Sequence, residues 1–512
     1  MKKYTYLFLV LVWMSCKKVD ETAPATSEET LSMRRPGGED LSTYQEIASL
    51  NLGGLGAAEI TCYDDSTKRL FAVNNGSINK IDVIDFSNPS ALRVIHSISL
   101  GAYGGSANSV DVYDGKLAVA IEASDKQANG KVVILNTSNY EEIKVIAVGA
   151  LPDMITYTPD GKYILTANEG EPNDTYTNDP EGTVSIIKTA NYTVETINFA
   201  AFETQLTELE AKGLRVFGPG KNFLKDIEPE YITVSEDSKT AWITLQENNA
   251  IAELNINQGI FTKIIPLGFK HYGEAGNEAD ISDRDGRIAF SLHSGVYGMY
   301  QPDAISFVEH DGVPYLFTAN EGDAREYRGF SEMARVNNSA IRLDAATFPN
   351  AATLKTDAVW GRLNVTKTLG DIDNDGDYDK LYSLGARSFS VWNAVTGSLE
   401  YDSKSELDRR AQEIGIYDDG RSDDKGVEPE AITIGRVGSK KIAIIGLERA
   451  DAFAIYDITS PLSPVFIKMF KTGDAPEGVL FIPANKSPIR QSLIVVSSEN
   501  DGFVKVYKAN LL

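Results

Sequence analysis

The 512-residue chain is short of cysteine, histidine and positive charge: it has two cysteines, four histidines, and 49 lysines and arginines against 73 aspartates and glutamates. Each shortage closes off a class of protein. Two cysteines, Cys16 and Cys62, cannot make the framework of a disulfide scaffold. Four scattered histidines (His96, His271, His293 and His310) argue against a multi-histidine zinc site. A formal charge of −24, with no cluster of lysine and arginine, repels nucleic acid and draws in cations. The GxSxG elbow, the P-loop and the HExxH zinc motif are all missing, so no familiar catalytic signature survives. Helix-forming runs are rare as well.

Short runs of Val, Ile, Thr and Tyr, closed by Asn, Asp and Gly, are what the chain does have, and they are the composition of an all-β fold. At the N-terminus stand Lys2 and Lys3, an apolar run from Tyr4 to Met14, and Ser15-Cys16. That run is too short to span a bilayer and reads as a secretory signal. Cys16 resembles the acylated cysteine of a bacterial lipoprotein processing site. The expected layout is a signal and lipidation Cys16 over 1–16, a polar tether over 17–40 and one propeller domain over 41–512. The expected setting is an exported, membrane-anchored bacterial lipoprotein, periplasmic or at the cell surface. It would touch the membrane through its lipid, bind no nucleic acid and be monomeric. With Cys16 acylated, Cys62 is a lone thiol, expected to be buried in a strand.

One pattern recurs along the chain: an acidic start, a short strand, a polar turn, a second apolar strand ending in Glu or Asn, then a third strand. It begins at Ala57, Ser106, Leu151, Glu228, Gln301, Glu428 and Ala475, with a diverged copy, LYSLGARSFSVWNAVTGSLEYDS, from Leu381. This predicts an all-β propeller of about eight four-stranded blades, with seven as the alternative. An orphan strand over Thr43–Gly53 is expected to complete the last blade and close the ring.

In antiparallel blades the start of the first strand and the end of the second share one rim. The first position carries Glu59, Asp153, Glu230, Asp303, Glu430 and Glu477; the second carries Glu122, Glu169, Glu247, Glu321, Glu448 and Glu499. Long insertions leave or enter at the same rim, the usual place for function on a repeat scaffold. So many carboxylates need cations, arginines or raised pKa values. Glu169, Glu230, Glu321, Asp323, Glu430, Glu448, Glu477 and Glu499 are therefore candidates for a rim metal or ligand site, unless each simply accepts hydrogen bonds from a neighbouring blade. Arg325, Arg387 and Arg449 are candidate anion binders, with pairing to adjacent glutamates as the alternative.

The segment Asp371-Ile-Asp373-Asn-Asp375-Gly376-Asp377-Tyr-Asp379 has calcium-loop spacing, alternate carboxylates around a glycine turn. Tyr382 stands where an EF-hand places Glu, and the spacing instead resembles the calcium loops of integrin-type propellers. Were it to join first and second strands, it would lie opposite the carboxylate rim. Calcium is the expected ion, and a second metal at the rim is left open.

The stretches ANEGEPND (Ala167–Asp174), YGMYQPDAI (Tyr297–Ile305), TANEGDAREY (Thr318–Tyr327) and GVEPEAI (Gly426–Ile432) resemble the choice-of-anchor I family. Those secreted bacterial proteins are similar to the animal mesenchyme-specific cell-surface glycoprotein and are often labelled alkaline phosphatase-like. The resemblance implies an extracellular propeller and carries over no catalytic residue. Two functions remain open: a calcium-binding propeller that takes a ligand or partner on its acidic, insertion-bearing rim, or a metal-dependent phosphohydrolase.

Overall fold

The computed structural model describes Met1 and residues 38–512; the rest of the expected signal with Cys16, and almost all of the expected tether, lie outside the described residues. Seven four-stranded antiparallel sheets follow one another along the chain, six of them opening at or just after one of the first-position acids, with Asn108 at that place in the second. Their first strands are Thr61–Asp64, Ala107–Tyr113, Pro152–Tyr157, Pro229–Val234, Ile305–His310, Pro429–Val437 and Pro476–Ile482. They open blades 1 to 7. Residues from or next to all seven line one central cavity of about 250 Å³, so these strands are innermost.

Second and third strands read as near-continuous apolar runs because neighbouring blades cover both of their faces. In blade 1, Leu70 to Asn74 are all buried, whereas the outermost strand, Arg93–Ser99, has one buried residue, Ile98. Hairpin turns fit the twist. Asp114-Gly115 and Asp311-Gly312 both have positive φ at both central positions, the geometry that asks for Asp-Gly between strands.

An apolar cluster fills each joint between blades. Phe199, Leu245 and Phe261 lie in the cluster between blades 3 and 4, and Trp242, Ile305 and Trp392 in that between blades 4 and 5. Blade 7 packs on blade 1 in the same way, through Val495, Val504, Leu70 and Ile84. Every joint is dry.

The blade count is therefore seven and not eight. The diverged copy from Leu381 does not start a blade. Leu381–Ser383 pairs in parallel with Val296–Met299, and Ser388–Asn393 pairs with Val313–Asn320 as the third strand of blade 5. An insertion between the second and third strands splits that blade, and the separation imitates another repeat. The N-terminal strand, Glu39–Asn51, is the fourth strand of blade 7, in register from Glu39 opposite Leu511 to Asn51 opposite Phe503. It begins four residues ahead of the expected Thr43. Cys62 is a free, buried thiol on the first strand of blade 1.

The insertions before and within blade 5 fold together into a cap with its own core, including Tyr272, Ile281, Val296, Phe348, Trp360 and Leu381. Two insertions carry short helices, Leu206–Ala211 after a 3-10 turn and Glu406–Glu413.

Candidate functional site

Each first strand begins beside the end of a second strand, so the recurring acids meet at the joints around the channel mouth. Glu169 follows the second strand of blade 3, Glu230 opens blade 4 and Glu247 follows its second strand. Carboxylate oxygens of these three lie within 4.8 Å of one another. Asp303, Glu321 and Glu430 form a second such group, and Glu321, Glu428 and Glu448 a third.

Burial and mutual repulsion hold these acids toward their neutral forms. Burial, then the charge of Glu499, raises Glu59 to about 8, against the amide of Asn75, which donates to it at 2.7 Å. Burial raises Glu247 to about 8, Glu448 to about 7, Asp323 to about 7 and Asp153 to about 6. Glu169, Glu230, Asp303, Glu430 and Glu477 are all pushed well above the ordinary carboxylate range, by burial first and by neighbouring carboxylates second, Glu171, Glu247, Glu321, Glu321 and Glu59 respectively.

This has a testable sign. A carboxyl whose pKa is raised on folding binds more protons in the native state, so stability is lost as pH rises through the window between the two values. For Glu59 the window runs from 4.5 to about 8. In chelator, the melting temperature is expected to fall between about pH 5 and about pH 8, and Glu59→Gln to raise it at the upper end by an amount equivalent to at most a few kcal/mol. Calorimetry across that range checks it; a wild-type melting temperature that rises with pH would show these acids ionised at little cost.

The three candidate anion-binding arginines are occupied. Arg325 is 1% exposed; its guanidinium contacts the Asp226 carboxylate and lies 2.7 Å from Glu228. Arg387, also buried, donates to the carbonyls of Asp280, Ser422 and Asp424 at 2.7, 2.6 and 3.0 Å. It enters the third strand of blade 5 and is no eighth-blade counterpart of the rim glutamates. Arg449 pairs with Glu448 at 2.9 Å and with Glu428 at 3.5 Å. Glu477 and Glu499 sit on blade 7, and Asp323 leaves blade 5 toward the cap.

The Asp371–Asp379 loop lies in the cap, between Asn364–Thr366 and Leu381–Ser383, and not between first and second strands. It therefore belongs to the insertion-bearing side of the ring, with the rim. Asp371, Asp373 and Asp379 bring carboxylate oxygens within 4.8 Å of one another. Asp371 already accepts from the amides of Asp375 and Gly376, and Asp379 from that of Ile372. Asp377 lies 3.6 Å from Arg342, and the Asp375 carboxylate accepts from the amide of Asp377. In the cap His293 accepts from the Trp360 indole at 3.2 Å, and burial lowers it to about 4, so it stays neutral.

Residues absent from the sequence-derived site complete the picture. KDIEPE (Lys225–Glu230) and KGVEPE (Lys425–Glu430) repeat one spacing at the entrances to blades 4 and 6. Lys425 bonds Glu321 at 2.7 Å and lies 3.0 Å from Glu428; despite its burial, these charges hold it well above its ordinary value. Arg421 also pairs with Glu428, at 2.5 Å. The repeated Lys-x-x-Glu-Pro-Glu was the available signal for Lys425 and Glu428. Nothing in the sequence pointed to Arg215, which meets Glu332 and shares the ring of Phe217 with Arg325.

Fold and site define a seven-bladed β-propeller with a carboxylate-lined mouth beneath a folded cap. Within that class the chain belongs to the choice-of-anchor I family, whose domain matches residues 59–461. It is similar to Gigasin-3a of Magallana gigas, 29% identical over 189 residues covering 30% of this chain and 66% of that protein. It is also similar to the mesenchyme-specific cell surface glycoprotein of Strongylocentrotus purpuratus, 25% identical over 339 residues, 56% of this chain and 43% of that one. The chain thus spans less than two thirds of the length of the curated relatives it matches. Among solved structures, hydrazine synthase of Kuenenia stuttgartiensis shares the fold, with a TM-score of 0.50 at 13% identity over 90% of this chain and 97% of that one.

Proposed function

We propose that this chain is an exported surface propeller that gathers cations on its acidic face and binds a ligand or partner there. The carrying observation is that the largest insertions form a packed cap, with its own apolar core, on the side where the carboxylates converge. Such a face is a built surface and not a set of loose loops. The name of the sea-urchin relative, a cell surface glycoprotein, supports the extracellular setting. In this reading a lipid on Cys16 attaches the protein to its membrane, and Asp371, Asp373, Asp375, Asp377 and Asp379 hold calcium in the cap. The phosphohydrolase reading is the weaker one, because Arg325, Arg387 and Arg449 are spent on partners within the protein.

Calcium bound only by the native state at a hundred times its dissociation constant adds about 2.7 kcal/mol. Chelator is therefore expected to lower the melting temperature, and Asp373→Ala with Asp375→Ala to remove most of the loop's share of that response. A double variant as chelator-sensitive as wild type would take calcium away from the loop. On a panel of phosphomonoesters the protein is expected to show no turnover with or without Ca²⁺; turnover abolished by chelator would reverse the choice between binder and enzyme.

A further inference from the structure

The joints of the ring repeat one arrangement, and two of them solve its charge problem differently. At the joint of blades 5 and 6, Glu321, Glu430 and Glu448 stand where Glu169, Glu230 and Glu247 stand at the joint of blades 3 and 4. In the first case basic groups fill the gap. The Lys425 ammonium sits on Glu321 and Glu428, and Arg449 takes Glu448. In the second, none of the ion pairs found among the described residues reaches Glu169, Glu230 or Glu247. Arg325 is taken by Asp226 and Glu228, and Lys225, the sequence counterpart of Lys425, acts on Asp179 instead.

Glu169 and Glu230 are each 9% exposed and Glu247 4%. The Oε2 atoms of Glu230 and Glu247 are fully buried and have no hydrogen-bond partner among the described residues. Unpartnered buried oxygens are costly to leave that way. Glu430 and Glu477 also carry such an atom, but Glu430 shares its group with Glu321, which the lysine bonds, and among the described residues no three-acid group includes Glu477.

We infer that Glu169, Glu230 and Glu247 form a binding site for one divalent cation of the size and hardness of Ca²⁺, at the counterpart of the joint where the Lys425 ammonium bonds Glu321. The donors are all carboxylate oxygens, which suit a hard cation and exclude a thiolate- or imidazole-seeking metal. Oxygens within 4.8 Å of one another can share an ion whose ligands stand at about 2.3–2.6 Å. Water from the channel mouth completes the shell. Since Glu169 belongs to blade 3 and Glu230 and Glu247 to blade 4, the ion ties two blades together. The assignment rests on reading this face as one that gathers cations, but it is separate from the cap loop.

Isothermal titration of the full chain with Ca²⁺ tests it. Glu230→Gln is expected to remove one equivalent of bound Ca²⁺, and Glu430→Gln, at the lysine-filled joint, to remove none. In chelator Glu230→Gln should melt no lower than wild type, since its buried Oε2 has no partner to lose there; this shows that a lost equivalent is not lost folding. An unchanged count in Glu230→Gln, or equal losses in Glu230→Gln and Glu430→Gln, would overturn the site. Loss of a different equivalent in Asp373→Ala with Asp375→Ala supports the cap loop on its own. Each reading can therefore fail while the other stands, and a wild-type chain that binds no Ca²⁺ overturns both.

Discussion

Replacing Arg325 by methionine is expected to destabilise the protein by about 3–5 kcal/mol, the usual cost of stripping one partner from a buried ion pair. The side chain leaves blade 5 toward the cap and reaches the entrance to blade 4. There it contacts Asp226, lies 2.7 Å from Glu228 and sits over the ring of Phe217. Without the guanidinium two buried carboxylates face each other with no counter-charge, and the segment Phe223–Asp226 loses its tie to the cap. Adding Asp226→Asn and Glu228→Gln to Arg325→Met should recover most of the loss, because the harm lies in the stranded charges more than in the missing contact. Differential scanning calorimetry of the single and triple variants decides it. A single variant within 1 kcal/mol of wild type, or a triple variant no better than the single, would show that the network does not hold the cap.

Removing Glu39–Asn51 is expected to do more damage still. Leu41 and Tyr44 from this strand are buried against blade 6, and Ile47, Ala48 and Leu50 pack at the joint with blade 1. Its loss bares the whole edge of Phe503–Leu511 and leaves polar groups there unpaired, an aggregation-prone state. A chain beginning at Leu52 should be insoluble or melt lower by ~10 °C or more. A chain beginning at Gly38 keeps every contact of the strand and should melt like the full chain. Equal melting of the two truncations would mean that the strand is dispensable.

The register of the blades was legible in the sequence because each turn repeats the same acid-first, apolar-second order. The positions of Glu169, Glu230, Glu430 and the other rim acids followed from that register alone. The count failed at Leu381–Asp402 because two strands separated from their blade by a long insertion look like a fresh repeat when pairing is unknown. Pairing is non-local, and only the contact of Ser388–Asn393 with Val313–Asn320 settles it. Between the two roles open to the arginines the sequence could not choose, for a related reason. Arg387 and Arg325 were visible as basic residues near a rim, but their burial and their partners, 97 and more residues away for Arg325, are properties of the packed cap. The acid triads were within reach as a composite of repeat positions; which triad lacks a lysine was not, since Lys225 and Lys425 have the same local sequence.

The pairing of Glu39–Asn51 with Phe503–Leu511 also sets an order of events for a chain made from one end. The first strand to emerge is the last to find its place, because its partner is the last segment to arrive. Until then six blades have neighbours to form against, but the seventh lacks an edge. Closing so long a loop adds only slowly to the entropy cost, yet contacts this remote are late to form. Completion of the ring therefore reports on the far end of the chain, and a product that stops short of Phe503 is left with a permanently open seam for proteases to find.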